Sequence, residues 1–380
     1  MPMARAVTAT KLAFALGVLN SLGNGAAGSV MEISRDPEMF SSQWASSFGS
    51  DAPGCTGPAA KDPYEWRQSG YGSNMNHLLL VWINAIAAGR KDVAVIVNTK
   101  SYFSRTKCDA TSNGIETRGG WPCIFSAVPH LCAFDSVEDW ISYNAHRNVS
   151  ESEMKANFAK LSVWYIRREM KGISDGAVKA SGVGIREIHN LFDYLHGFLQ
   201  PWFKADVKAI LDEPAIAALR GGKYVSMHIR RTDKITTDSA PFTETKKYFE
   251  TALKYINDPG NGLTAKDMRG LWLSTDDETV VAEVKKLAPK FFPNIDPNAV
   301  VHVSDRTEVT LQEAAMEVES TYEAIVILRA ELEMMAGATV FCGTFTSNFG
   351  RIVILMRMVL KKPDGSALSA DRQKTWHIGR

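Results

Sequence analysis

Cysteine is scarce in this chain of 380 residues: there are five, and no two form a C-x-x-C pair. A zinc ribbon or a thioredoxin-type redox site is therefore not supported. No Asp-x-Asp occurs, which speaks against a nucleotide-sugar site built on a carboxylate-bound metal. The absence of H-E-x-x-H argues against a metal hydrolase. The absence of G-x-x-x-x-G-K-[ST] disfavours a P-loop NTPase. An excess of one charge is missing too. Lys and Arg number 43 against 42 Asp and Glu, a formal net charge of +1. No global field then draws nucleic acid or an anionic membrane. Long hydrophobic runs are also lacking, since Leu12–Leu19 is well short of the ~20 residues that span a bilayer.

That run follows Arg5 and Lys11 and precedes small residues, so residues 1–30 read as a secretory signal or as a disordered cytosolic leader. The sequon Asn148-Val149-Ser150 fits the secretory route. Cys55, Cys108, Cys123 and Cys132 cluster in the first third and could form two disulfides in an oxidising compartment, by any of three pairings. Cys342 lies in an apolar run and is expected to be a buried thiol.

Residues 30–65 are rich in Ser, Gly, Pro and Asp and form a loose lead-in. A helix is expected over Asn76–Ala88, followed by the strand AVIVN. Residues 100–135 are irregular, and 150–220 carry apolar residues at helical spacing, with Pro201 breaking or restarting a helix. Four apolar runs follow, Tyr224–Ile229, Leu271–Ser274, Val300–Val303 and Thr339–Cys342, with helical patterns between them. Such alternation indicates a parallel, doubly wound α/β sheet. The boundary with the preceding residues is expected near Gly221-Gly222.

In such sheets ligands sit beyond the carboxyl ends of the strands. Three runs end in chemically able residues: HIRRTDK, residues 228–234; STDDE, residues 274–278; and GTFTSNFGR, residues 343–351. Arg230 and Arg231 point to opposite faces if the strand stays regular, and converge only where the chain leaves the sheet. Together with Lys234 they suit a pyrophosphate, because a guanidinium fork matches phosphate oxygens. The competing reading is a salt-bridge cluster with Asp276 or Asp277. The turn GTFTS opens an apolar helix whose first amides would attract an anion.

These motifs, in this order, resemble the α-1,6-fucosyltransferase family, which uses GDP-fucose and has a GT-B-like fold of two domains. The resemblance spans roughly residues 65–360 and includes Gly70-Tyr71-Gly72, Gly119-Gly120-Trp121 and Gln200-Pro201-Trp202. It implies an N-terminal α/β domain on the acceptor side (31–220), a Rossmann-type GDP-sugar domain (221–362) and a tail (363–380). It further implies that Arg230 holds the β-phosphate of GDP-fucose, that Arg231 and Asp233 shape the loop, and that Ser347 donates to phosphate. Glu331 would read guanine, His228 would lie beside the nucleotide, and Asp276 and Asp277 would support the donor site. Tyr248 would stand near the donor, and Gly70, Tyr71 and Gly72 would form a phosphate-side loop. Where the family has a catalytic glutamate this chain has Asp238, with Lys234 able to relay the proton. Metal-independent, inverting transfer of fucose to an oligosaccharide or glycoprotein hydroxyl follows, with no cofactor and no metal ligands. The secretory pathway, in particular the Golgi lumen, is the expected compartment, with the cytoplasm as the alternative. A non-catalytic GDP-sugar or glycan-binding relative, or an enzyme for another nucleotide sugar, remains open on these residues.

Overall fold

The computed structural model describes residues 62–66, 71–87, 93–97, 121–126, 128, 131–134, 137–145, 150, 152, 185–231, 242–301 and 321–371. Its first part holds a parallel sheet in the order β1 (Asp62–Trp66), β2 (Val93–Val97), β3 (Leu131–Phe134). Helix α1 (Tyr71–Ala87) crosses from β1 to β2, and α2 (Trp121–Ile124) and α3 (Val137–Ala145) flank β3. Val93, Ala94, Val95 and Ile96 are all buried, as an unbroken apolar strand covered on both faces should be. α1 starts five residues before the expected Asn76. The Gly72-Ser73-Asn74 stretch looks like a turn, yet it is already helical, and Asn74 and Asn76 are fully buried.

Three helices follow: α4 (Ile185–Gly197), α5 (Pro201–Leu211) and α6 (Pro214–Arg220). Pro201 restarts the chain as the first residue of α5, where its missing N–H costs nothing. Phe203, Val207 and Leu211 then bury one stripe of that helix. The Gln200-Pro201-Trp202 triplet ties these helices to the first part. The Gln200 side-chain amide donates to the Phe125 carbonyl (3.1 Å) and the Trp202 indole to the Cys123 carbonyl (3.0 Å).

The second part alternates as expected: β4 (Tyr224–Ile229), α7 (Thr245–Ile256), β5 (Gly270–Thr275), α8 (Glu278–Phe291), β6 (Val300–Val301), α9 (Thr321–Gly337), β7 (Val340–Gly343), α10 (Asn348–Val359) and β8 (Ala367–Ser369). All five strands are parallel, in the order β6-β5-β4-β7-β8. The winding reverses between β4 and β7, so a switch point opens at their carboxyl ends. Strand β8 was not foreseen. Residues 363–380, read as a tail, begin with a short strand that pairs with β7 from Phe341↔Ala367 to Gly343↔Ser369.

Residue alternation divides the sheet cleanly. Val225, Met227 and Ile229 join a core with Tyr248, Phe249, Val280 and Val284 of α7 and α8. Tyr224, Trp272 and Phe341 face a second core that takes in α9 and α10 together with α1, α4 and α5. One apolar cluster therefore runs from the first part into the second. Hydroxyls on this face fix α9. Tyr224 donates to the Met334 carbonyl (2.7 Å) and Ser226 to that of Met335 (2.9 Å). The buried Arg357 donates to Ala336 and Ala338 (3.0 and 2.9 Å). These carbonyls lie at the helix end, where no further turn exists to use them.

The cysteine expectations divide in the same way. Cys123 and Cys132 are disulfide-bonded, and Cys342 is a buried free thiol. Cys55 and Cys108 lie outside the described residues. No described helix is long and apolar enough to cross a membrane.

Candidate functional site

The switch point is built by the ends of β4 and β7. The Thr344 N–H donates to the His228 carbonyl (3.1 Å), and so does the Thr344 hydroxyl (3.3 Å). His228 faces α10. Its ring meets Phe349 edge-on with centroids 5.5 Å apart, and an added Cβ on Gly350 would lie 3.6 Å from its Nδ1. His228 is only 4% exposed, and its Nδ1 has no hydrogen-bond partner among the described residues. Burial above all, and then the charge of Arg230, pull its pKa down to about 4. The imidazole is thus neutral at physiological pH, with a buried ring nitrogen still seeking a partner.

α10 begins beside that nitrogen. Ser347 occupies the N-cap position but makes no side-chain cap, and the first helical bond is Arg351 N–H to the Ser347 carbonyl. The amides of Asn348, Phe349 and Gly350 therefore precede the first intrahelical bond, and they carry the positive end of the helix dipole. The start of α1 closes on the same place. A Cβ on Gly72 would stand 2.8 Å from the Phe349 backbone and 3.0 Å from that of Asn348. The Asn76 side-chain amide also donates to the Asn348 carbonyl (2.9 Å). Gly72→Ala is expected to force the two helix starts apart and to destabilise the fold by ~1–3 kcal/mol. The midpoint of chemical denaturation measures this, and an unshifted midpoint would contradict so close a packing.

The two arginines diverge, as strand alternation requires. Arg231 is buried and turned towards α7 and α8. Its terminal nitrogens make a fork on Glu283 (3.3 and 3.0 Å), with one of them also on Thr245 (2.6 Å). Phe242 stacks on the guanidinium at 4.9 Å. Arg231 and the Thr245 hydroxyl, which also donates to this carboxylate, hold the Glu283 pKa below the usual range. Arg230 stays at the rim, a third exposed, with its Nε 3.1 Å from Asp276 Oδ2. Asp276 also accepts from the Arg231 backbone N–H (2.8 Å), so one carboxylate holds both the exit of β4 and the side chain of Arg230. Asp277 caps α8 by accepting from the Thr279 N–H (2.9 Å). The salt-bridge reading of these aspartates is thus realised in the structure, and it leaves Arg230 beside His228.

Glu331 approaches from α9. Ser274, level with His228 in the sheet, donates to Glu331 Oε2 (2.9 Å). Burial raises this carboxyl to about 7, against the opposing effect of the Ser274 bond. Tyr248 is placed differently from the residues around it. Its ring lies in the core beneath the sheet, and its hydroxyl reaches Thr344 at 2.5 Å, so it props the turn after β7 from behind. Burial pushes its pKa up.

The structure therefore sets His228 against the start of α10, onto which Gly72 packs, and pairs Arg230 with Asp276 close enough to act on His228. Glu331 is bound to Ser274, level with His228 in the sheet, and Arg231, Asp277 and Tyr248 take supporting positions. Gly70, Asp233, Lys234 and Asp238 lie outside the described residues, as does the Tyr71 side chain. Sequence reasoning missed Thr245, Glu283 and Asp371. Asp371 accepts from the Phe345 and Thr346 N–H groups (3.1 and 2.9 Å). Glu283 sits on an amphipathic helix, where a glutamate looks like part of a solvated face. Among the described residues, no three His, Cys, Asp or Glu side chains gather as a metal cage.

No family model matches the chain, and no curated protein matches it. Among solved structures it is similar to NodZ α-1,6-fucosyltransferase soaked with GDP-fucose, at 13% identity and a TM-score of 0.46, covering 78% of this chain and 92% of that one. It is similar also to fucosyltransferase NodZ from Bradyrhizobium, at 13% identity and a TM-score of 0.44, covering 78% and 93%. A third is POFUT1 in complex with GDP-fucose, at 12% identity and a TM-score of 0.42, covering 83% and 98%. At this degree of likeness, function has to be argued from the site itself.

Proposed function

We propose that the chain is a glycosyltransferase that moves fucose from GDP-fucose to a glycan hydroxyl, in an α-1,6 linkage and with inversion. The observation that carries the reading is the meeting of the start of HIRRTDK with GTFTS at the switch point. Thr344 is tied to the His228 carbonyl, the His228 ring, its Nδ1 without a partner among the described residues, lies against the first turn of α10, and the charge of Arg230 acts on that ring. Such a set suits a diphosphate: helix amides and a guanidinium supply donors and positive charge without a metal. Glu331 supports guanine in particular, since a carboxylate can accept from both N1–H and the exocyclic amine.

In a single displacement the acceptor oxygen attacks the sugar's anomeric carbon, and that carbon's bond to the phosphate oxygen breaks. GDP leaves with the electron pair. Arg230 and the α10 amides would meet the charge that grows on the β-phosphate. Asp238 would take the acceptor proton, with Lys234 as relay. The disulfides at Cys123 and Cys132 support a secretory compartment, with the Golgi lumen as the proposed location.

The test needs no acceptor. The protein is mixed with a panel of nucleotide sugars, and the nucleoside diphosphate released by slow hydrolysis is measured, with and without EDTA. GDP from GDP-fucose, unaffected by EDTA, is expected. Inhibition by EDTA that Mn²⁺ reverses would refute the metal-free mechanism, and release of UDP would change the donor. GDP binding by calorimetry without release or transfer would favour a non-catalytic GDP-sugar-binding protein.

A further inference from the structure

Asp371 stands just beyond β8 and is 8% exposed. Its Oδ1 accepts from the Phe345 N–H (3.1 Å) and the Ser369 hydroxyl (2.6 Å). Its Oδ2 accepts from the Thr346 N–H (2.9 Å) and the Thr346 hydroxyl (2.8 Å). Two successive backbone amides converging on one point form a nest, the geometry that loops use to hold anions. Here the chain's own carboxylate fills it. The carboxylate is brought there by β8, held level with β7 by Gly343↔Ser369 and by the Ala370 N–H donating to the Gly343 carbonyl (3.1 Å).

The nest lies immediately before the cap of α10. Thr346 is followed by Ser347, whose N–H returns to the Thr344 carbonyl (3.2 Å), and the helix starts at Asn348. Thr344 is in turn tied to His228 across the switch point. We propose that Asp371 is a positioning residue: by occupying the nest it fixes the turn after β7, and so aims the first amides of α10 at the position that His228 and Arg230 border. It also bars that nest to an external anion, which leaves the helix start as the anion-binding part of the turn. That this start holds the diphosphate of GDP rests on the function proposed above; the filling of the nest does not.

Chemical rescue tests the idea. In Asp371→Ala the nest is emptied without adding bulk, and formate is small enough to refill it. The variant is expected to melt below the parent and to bind GDP about tenfold more weakly, the equivalent of one buried hydrogen bond. Sodium formate should restore both melting and affinity, while sodium chloride at equal ionic strength should not. Neither the parent nor Asp371→Asn, whose amide still fills the space, should respond to formate. A chloride effect equal to that of formate would show that no carboxylate site exists. Unchanged GDP affinity in a destabilised Asp371→Ala would overturn the positioning role. If Asp371→Ala does not fold, Thr346→Val removes one donor only, and GDP affinity should fall in the same direction; no fall overturns the proposal. A parent protein that binds no GDP would sink the functional reading instead, while the formate effect on melting still decides whether the nest is as described.

Discussion

Arg230→Ala is expected to lower sugar transfer by at least about 100-fold while leaving the protein folded. Both halves follow from where the side chain sits. Arg230 is two residues beyond His228, close enough for its charge to help depress that imidazole, and it forms an ion pair with Asp276 at the rim. A partly exposed pair of this kind contributes at most about 1 kcal/mol to stability, so the melting temperature should barely move. The loss should fall on kcat with a smaller change in KM, because charge on the departing diphosphate is greatest in the transition state. Arg230→Lys keeps the charge but not the fork, and should recover part of the rate. Arg231→Ala should behave in the opposite way, since it strips the fork from Glu283 and Thr245, and its primary effect is lost stability. Transfer by Arg230→Ala within a few-fold of the parent would remove this residue from the mechanism.

The second large effect concerns Glu331 and is read against pH. The buried carboxyl titrates near 7 in the folded protein, above its ordinary value of 4.5. Between those two values the native state keeps a proton that the unfolded chain has lost. Its contribution to stability is therefore full below about pH 4.5 and is lost as pH rises through about 7. Glu331→Gln, which can still accept from Ser274, removes this dependence. It should stabilise the protein by up to roughly 3 kcal/mol above pH 7, at about 1.4 kcal/mol per unit of displaced pKa. Denaturation curves across pH 5 to 8 test this, and parallel profiles for parent and variant would contradict it. If the ionised carboxylate is the form that accepts from guanine, GDP affinity should rise about tenfold per pH unit below 7 and level off above it. Inosine diphosphate, which lacks the exocyclic amine, should bind more weakly to the parent and equally to Glu331→Gln.

The strands of the second part were legible because each is a short apolar run between polar stretches; β4 matches residue for residue. The convergence of Arg230 and Arg231 expected at the strand exit is not seen: the alternation of β4 carries on through both, so Arg231 turns to Glu283 and Thr245 while Arg230 pairs with Asp276. Strand order was not legible. The neighbourhood of β4 and β7, on which the site depends, joins residues more than a hundred positions apart, and no local pattern encodes it. β8 was too short to read, and Asp371 carries no motif, because a lone aspartate in a polar segment looks solvated. The early start of α1 was hidden by residues typical of turns. Asn74 and Asn76 tolerate the helix because other parts of the fold cover them, and Asn76 finds the Asn348 carbonyl.

One consequence of the way α9 ends bears on how this molecule could adapt to what it binds. Tyr224, Ser226 and Arg357 together claim the carbonyls of Met334, Met335, Ala336 and Ala338. A slide of the helix along the sheet, even by a fraction of a turn, would break all four contacts at once in a dry interior. α9 is thus a fixed reference line, and Glu331 rides on it at a constant height above β5. A guanine base read by Glu331 would therefore meet a carboxylate whose position is set by the sheet and by α10, not by the bound molecule.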